Sequence, residues 1–155
     1  MERKFLIPRP PADLERHPAT RIEQGYIVVA DDGTEVRLRR AGPRTTLTLK
    51  RGSGRVRMEE EIEIDPDRFM RLWPLSEGRR VEKTRYELPA GPEHTIEADV
   101  YSGPLDGLVT AEIEFRSADD ADAFIPPDWF GPEITDDRRY SNQRLATDGI
   151  PTDAP

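Results

Sequence analysis

The chain has 155 residues, a length that fits a single domain with a core of its own. Its formal net charge of −8, from 31 acidic and 23 basic residues, argues against general binding to nucleic acid, which requires a basic surface. It contains no cysteine, which excludes disulfides, thiolate catalysis and cysteine-based zinc sites.

Eight extended segments are predicted, separated by short turn signals. In chain order they comprise residues 1–7, 24–30, 34–41, 45–51, 55–64, 79–88, 94–102 and 107–116. The turn signals DDG, GPR and GSG join the second to the fifth segment into a meander. Eight strands with mostly short connections predict a mainly β fold, either a closed barrel or a sandwich.

Helical segments are few and short. Residues 8–20 are predicted as a loop with a single helical turn, and the helices are placed at residues 65–75, 117–125 and 135–146. Ser117 is the expected N-cap of the second helix, and a Thr or Asp is expected to cap the third. Residues 147–155 are expected to be a disordered tail, which leaves one domain over residues 1–146.

Charged residues alternate with apolar residues along most of these strands. Arg37 and Arg39, for example, share one face of the third strand, and Val36 and Leu38 share the other. The same alternation places charges on one face of the later strands, at Lys50, Arg57, Glu59, Glu61, Glu63, Lys83, Arg85, Glu97, Asp99, Glu112 and Glu114. Each segment therefore has one apolar face and one heavily charged face.

Two arrangements satisfy this pattern. In a sandwich, the charges face water and the apolar faces form the core. In an inverted barrel, the charges line a wet interior, while helices and loops cover the apolar outside. Basic residues dominate the third, fourth and sixth strands, and carboxylates dominate the last two. This segregation suits a polyanion held by cations on one side and by carboxylate-bound metal on the other.

An ordered set of short motifs resembles the CYTH domains, also called triphosphate tunnel metalloenzymes. Over residues 1–146 the motifs are MERKFLI, QGYI, VRLRR, TLTLKR, RMEEEIEI, KTRY, EADVYSGPLDGLVTAEIEF and FGPEITDDRRYSNQRLA. The family also includes class IV adenylyl cyclases and thiamine triphosphatases, and the sequence is most similar to small bacterial members. The resemblance implies an eight-stranded antiparallel closed barrel, a tunnel with a charged lumen and short flanking helices. It therefore favours the inverted barrel over the sandwich.

The resemblance also implies roles for individual residues. Phosphate groups would be bound by Lys4, Arg37, Arg39, Lys50, Arg57 and Arg85. A Mg²⁺ or Mn²⁺ ion would be held by Glu2, Asp99, Glu112 and Glu114, since these metals prefer oxygen ligands. Lys83 and Tyr26 match positions that position or activate the attacking water in some members, and structural roles for both stay open. The roles of Glu59 and Glu61 also stay open.

One residue of the family signature falls outside this sequence. The signature begins with a Glu that would stand directly before Met1. We therefore expect this chain to bind its metal poorly, and we expect a native chain that begins upstream and includes that Glu.

Hydrolysis of inorganic triphosphate to pyrophosphate and phosphate is the activity that the resemblance implies. A thiamine triphosphatase or an adenylyl cyclase ranks lower, because the short loops offer no obvious site for an organic group. A non-catalytic polyphosphate-binding module is the alternative from another class, and the absent Glu favours it. The expected ligand is in each case a small polyphosphate, and a homodimer is one expectation for the assembly.

The N-terminus and the apolar runs bear on the compartment. No apolar run reaches membrane-spanning length, and the first ten residues lack the apolar stretch of a signal peptide. We therefore expect a cytoplasmic protein with neither a membrane nor a nucleic acid as partner.

Overall fold

The computed structural model describes residues 1–52 and 57–153. Its main element is one sheet of eight strands, and every adjacent pair is antiparallel. The strands are β1 (Glu2–Leu6), β2 (Ala19–Val29), β3 (Glu35–Ala41), β4 (Arg44–Arg51), β5 (Met58–Glu63), β6 (Arg80–Ala90), β7 (His94–Ser102) and β8 (Val109–Glu114). The mainly β prediction is confirmed. The predicted GSG turn and the start of the fifth strand fall partly on residues 53–56, outside the described residues.

Strand order in the sheet is β1-β8-β7-β6-β2-β3-β4-β5. The predicted meander of β2 to β5 is confirmed. β2 begins at Ala19, five residues before the predicted start, because its first half pairs with β6, where Ala19 lies opposite Tyr86. That pairing is non-local, so the local pattern of residues 19–23 did not indicate it.

The two edge strands, β1 and β5, are not joined by a hydrogen-bonded ladder in the described part of the chain. The free edge of β1 is covered instead by residues 131–134. Leu6 donates its backbone N–H to Pro132 and accepts from Gly131, and Ile134 donates to the carbonyl of Lys4. The predicted closed barrel is therefore not confirmed, since the edge that β5 would have to pair with is already occupied.

Short helices flank the sheet: α1 (Pro66–Leu72), α2 (Ala118–Ala123) and α3 (Asn142–Asp148). Ser117 caps α2 as predicted, because its side chain accepts from the backbone N–H of Asp120. The third predicted helix is split into a 3-10 turn at Arg138–Tyr140 and α3, and Ser141, not a Thr or Asp, caps α3. α3 continues to Asp148. None of the helices in residues 1–52 and 57–153 has the length and apolarity needed to span a bilayer.

The apolar face of β1, β6, β7 and β8 forms the larger core cluster. Phe5, Ile96 and Ile113 are almost completely buried there. Phe124, Trp129 and Phe130 pack over this cluster from the segment after α2. Burial of aliphatic and aromatic side chains of this size contributes about 1.5–3 kcal/mol each.

The apolar face of β2 and β3 is covered by α1 and the 3-10 turn that follows it. The guanidinium carbon of Arg40 lies 4.7 Å from the ring centroid of Phe69, and Phe69 stacks on Trp73. Gly25 permits this close approach, because a Cβ at that position would lie 2.4 Å from the hydroxyl of Ser76. The apolar side is thus buried over β1, β6, β7 and β8 and over β2 and β3, whereas Leu49 on β4 and Ile62 on β5 stay exposed.

Candidate active site

Cross-strand pairing places the predicted site residues on one face of the sheet. Residues directly opposite each other in neighbouring strands share a face. The opposed pairs are Glu2–Glu114, Lys4–Glu112, Glu112–Glu97, Asp99–Arg85, Tyr26–Arg37, Arg39–Thr46 and Lys50–Glu59. Arg57 directly precedes β5 and is exposed. The predicted charged face therefore exists, and it runs across all eight strands.

Asp99 lies at the centre of this face and binds two cations. Its Oδ2 accepts from Lys83 Nζ at 2.8 Å, and the guanidinium of Arg85 binds both carboxylate oxygens at 2.8 and 3.0 Å. Burial alone would raise the pKa of Asp99, but the hydrogen bonds from Arg85 and the charge of Lys83 hold it below its usual value. Both oxygens are thus taken by cations, so these contacts support an anchoring role for Asp99.

Lys83 is among the most buried side chains of the protein, with 2% of its surface exposed. Besides Asp99, its ammonium contacts Asn142 Oδ1 at 3.3 Å and lies 5.3 Å from the ring centroid of Tyr101. Burial lowers its pKa from the ordinary value of 10.5, although Asp99 opposes this shift. A lysine in such surroundings can give up its proton more readily than an exposed one.

Asn142 and Tyr101 were not predicted as site residues. The hydroxyl of Tyr101 donates to Asn142 Oδ1 at 3.3 Å, so Asn142 links α3 to both β6 and β7. Tyr101 lies two residues after Asp99 and shares its face, and this spacing was a usable signal. Asn142 lies 59 residues from Lys83 in sequence, and no local pattern indicates their contact.

Arg37 and Arg39 are closely spaced cations. Neither forms an ion pair with a carboxylate in the described part of the chain. The Nε atom of Arg37 is buried and has no hydrogen-bond acceptor there. Burial and the nearby charges of Arg85 and Arg37 lower the pKa of Arg39. Enclosed donors without acceptors are rare in folded proteins. Cations without a carboxylate partner are suited to bind an anion.

A cavity of about 500 Å³ opens beside these arginines. Its lining combines cations of β3 and β4 and the cation directly before β5 with residues of the C-terminal segment, which is defined here as residues 131–148. Its wall includes Tyr26, Glu35, Arg37, Lys50, Arg57, Glu59, Arg138, Ser141 and Asn142. Neighbouring cavities contain Arg39 with Arg44, and Lys4 with Glu2. Five of the six predicted phosphate-binding residues, Lys4, Arg37, Arg39, Lys50 and Arg57, therefore line cavities on this face, spread over three of them, whereas Arg85 belongs to none of these linings.

Tyr26 is buried beside the larger cavity. Its hydroxyl accepts from Gln24 Nε2 at 2.6 Å, and burial raises its pKa to about 12. The phenol therefore stays protonated at neutral pH. It can orient a neighbouring group by hydrogen bonding.

Carboxylates gather where β1 meets β8. Partial burial and the charges of Glu112 and Glu114 raise the pKa of Glu2. Lys4 Nζ lies 3.4 Å from Glu112, and the amino group of Met1 lies 3.3 Å from Glu114. Within residues 1–52 and 57–153, no three acidic or histidine side chains converge into a ready metal site.

These carboxylates nonetheless fit a divalent metal ion. Carboxylate oxygens are the preferred ligands of Mg²⁺ and Mn²⁺. The mutual repulsion that raises the pKa of Glu2 is also what a bound cation would relieve. Glu2, Glu112 and Glu114 therefore offer ligand atoms of the type that Mg²⁺ and Mn²⁺ bind.

A further cavity of about 530 Å³ lies on the opposite, apolar side, lined by Leu88, Ile96, Phe124 and Trp129 among others. Among the described residues, none of those that line it is a Lys or an Arg. A polyphosphate requires cations, so this cavity does not suit one.

Comparison with known proteins agrees with this geometry. The chain is 50% identical over 148 residues to an inorganic triphosphatase of Nitrosomonas europaea, covering 94% of this chain and 95% of that protein. It is 36% identical over 149 residues to an inorganic triphosphatase of Acetivibrio thermocellus, covering 94% and 91% respectively. No protein-family model matches the chain.

Comparison with solved structures also finds an inorganic triphosphatase that is similar to this chain. A crystal structure of an inorganic triphosphatase superposes with a TM-score of 0.82 at 45% identity, covering 95% of this chain and 93% of that chain. A candidate adenylyl cyclase from Hippeastrum, described as having a dominant triphosphatase activity, superposes with a TM-score of 0.54 at 14% identity, covering 78% and 81%. The second match shows a shared fold alone. On the identity and coverage of its relatives, the chain belongs to the inorganic triphosphatase family.

Proposed function

We propose that this protein hydrolyses inorganic triphosphate to pyrophosphate and phosphate on the charged face of its sheet, with Mg²⁺ or Mn²⁺ as cofactor. The observation that carries the proposal is the pair of half-buried cations, Arg37 and Arg39, which have no carboxylate within ion-pair distance in the described residues. Two close relatives named for this activity support it.

Substrate binding follows from the placement of the cations. Arg37 and Arg39 lie two residues apart on β3, about 7 Å along the strand. Lys50 and Arg57 lie at one end of this row, in the cavity that also contains Arg37. Arginine forks bind paired phosphate oxygens, and lysine adds a point charge. The row thus suits a short linear polyanion.

The C-terminal segment would complete a tunnel around that polyanion. Residues 131–134 cover the edge of β1, and Arg138, Ser141 and Asn142 share a cavity with Lys50, Arg57 and Glu59. In this proposal, side chains of residues 138–142 bridge the gap between β1 and β5. We propose that this closure takes the place of a direct β1–β5 ladder.

Hydrolysis requires a water molecule in line with a terminal phosphorus atom. The water oxygen forms a bond to that phosphorus, the bond to the bridging oxygen breaks, and pyrophosphate leaves with the electron pair. Lys83 Nζ, with its lowered pKa, is suited to accept the proton of the water. Asp99 and Asn142 hold this nitrogen in place, and Arg37, Arg39 and Arg85 stabilise the negative charge that develops on the leaving group.

Glu2, Glu112 and Glu114 would hold the metal ion. When bound, a divalent ion neutralises phosphate charge and lowers the pKa of a coordinated water. Lys4, 3.4 Å from Glu112, lies where it can contact the substrate phosphate next to that ion. In this proposal Asp99 is not a metal ligand, because its two oxygens already bind Lys83 and Arg85.

Phosphate release from pure inorganic triphosphate tests the proposal. The assay would use Mg²⁺, Mn²⁺ and a chelator, with thiamine triphosphate, ATP and pyrophosphate as comparison substrates. We expect metal-dependent turnover of triphosphate and much slower turnover of the organic substrates. Binding of triphosphate without phosphate release under every metal condition would contradict an enzymatic role and identify a binding module.

A further inference from the structure

Glu35 is an acidic residue in the middle of the phosphate-binding residues, and neither the motifs nor the resemblance assigns it a role. It is the first residue of β3, two residues before Arg37, and it shares the charged face with Arg37 and Arg39. Only 12% of its side chain is exposed. A carboxylate so enclosed in an anion site needs a physical reason, because it repels the ligand that the surrounding cations attract.

The partner of Glu35 is Lys50. The two residues lie directly opposite each other on β3 and β4, and Glu35 Oε2 lies 3.8 Å from Lys50 Nζ. Glu59 lies opposite Lys50 on the other side, on β5, but no ion pair joins those two among the described residues. Glu35 is therefore the carboxylate that is ion-paired with Lys50. The contact is too long for a hydrogen bond, and Glu35 Oε2 has no hydrogen-bond partner among the described residues.

Tyr26, Glu35, Arg37 and Lys50 all line the cavity of about 500 Å³. Lys50 is more exposed than Glu35, with 36% of its side chain accessible against 12%. The lysine side chain is thus the more accessible of the two. An ammonium has three N–H donors, so Lys50 can keep its contact with Glu35 and still donate to a phosphate oxygen.

Ordering a lysine in advance favours binding. A free lysine side chain samples many rotamers, and a ligand that immobilises it loses that entropy on binding. An ion pair formed before the ligand arrives has already restricted the rotamers, so less entropy is lost when the ligand binds. This gain competes with the repulsion between Glu35 and the phosphate, which the positive charge of Lys50 offsets.

We propose that Glu35 is a positioning residue for triphosphate: it aims the Lys50 ammonium into the cavity and acts through that lysine, not on the substrate itself. The proposal rests on the proposed function, since it takes triphosphate as the ligand.

A double-mutant cycle tests it, with Glu35→Gln, Lys50→Ala and the combined variant assayed on inorganic triphosphate. We expect Glu35→Gln to raise KM about fivefold while kcat changes less than twofold, because positioning affects ground-state binding. In the Lys50→Ala background the same change should leave KM within about twofold, or lower it, since no lysine remains to be aimed. Glu60→Gln removes the same charge from the opposite face of β5 and should leave both constants unchanged.

Two results would overturn the proposal. One is a KM increase of the same size in both backgrounds, which would mean that Glu35 acts independently of Lys50. The other is a fall in KM for Glu35→Gln alone, which would mean that the carboxylate only repels the ligand. If the unmodified protein releases no phosphate, the proposed function fails by itself. The same cycle measured as calorimetric Kd values for inorganic triphosphate then decides the role of Glu35.

Discussion

Lys83 and Asp99 form an ion pair of 2.8 Å in which both residues are 2% exposed. The pair connects β6 to β7 at the centre of the charged face, and Arg85 binds the same carboxylate. Burying two charges costs several kcal/mol per ion, which their mutual attraction offsets only in good geometry. Such a pair contributes little net stability, but removing one partner leaves the other uncompensated.

Asp99→Asn should therefore destabilise the fold strongly. We expect a loss of about 3–5 kcal/mol in the free energy of unfolding, because the Lys83 ammonium stays buried without a counter-charge. Urea denaturation measures this loss. Glu97→Gln is the matched control, since Glu97 also pairs with Arg85 but has 39% of its side chain exposed. It should cost about 1 kcal/mol or less. Equal losses in the two variants would contradict the anchoring role of Asp99.

The pH dependence of turnover should reflect Lys83. Its pKa lies below the ordinary 10.5, and only the neutral amine accepts a proton. Hence kcat should rise with pH and level off once the pH exceeds this lowered pKa. Lys83→Met should reduce kcat by about 100-fold or more and remove the rise, as expected for loss of a general base.

Lys50→Met is the control for that experiment. It removes a lysine that binds substrate in our proposal and takes no part in proton transfer. We expect a higher KM with the alkaline rise in kcat retained. A Lys83→Met enzyme whose pH profile matches the unmodified protein would exclude Lys83 as the base.

Arg39→Ala should weaken triphosphate binding. Loss of a charge-assisted hydrogen bond to phosphate costs about 1.5–3 kcal/mol, and KM should therefore rise about tenfold to a hundredfold. Arg40→Ala is the matched control, because Arg40 is the next residue on β3 and faces Phe69 on the opposite side. It should leave KM unchanged and lower stability by about 0.5–1 kcal/mol. Similar KM values for the two variants would refute the assignment of faces.

Glu112→Gln should raise the metal requirement. A water molecule can replace the lost carboxylate, but the ion is then bound more weakly. We expect the metal concentration for half-maximal activity to rise about tenfold, with a lower kcat at saturation. A titration with MgCl₂ and MnCl₂ at saturating triphosphate measures both quantities. An unchanged titration curve would show that Glu112 is not a ligand.

Much of the fold follows from local patterns. The two-residue period of Val36, Arg37, Leu38 and Arg39 determines which side chains share a face, because successive side chains on a strand point in opposite directions. Turn and cap signals such as the DDG sequence and Ser117 also act over a few residues. These patterns correctly predicted the number of strands, the meander and the charged face.

Contacts between segments that are distant in the sequence could not be predicted from local patterns and are seen only in the tertiary structure. The pairing of Ala19 with Tyr86 extended β2 beyond its local signal, and the strand edge of β1 was taken by residues 131–134. Periodicity cannot reveal either feature, since it describes one element and not its neighbours.

The same distinction between local pattern and tertiary contact applies to the functional side chains. The sequence by itself determined that Arg37 shares a face with Arg39, and Lys83 with Arg85, because alternation is a property of each strand. Only the tertiary structure decided how those charges pair: Asp99 with two cations, Glu35 with Lys50, and Arg37 and Arg39 with no carboxylate in the described residues. Pairing depends on distances between strands and on the α3 segment that lies across them. Those distances are set when the whole chain packs.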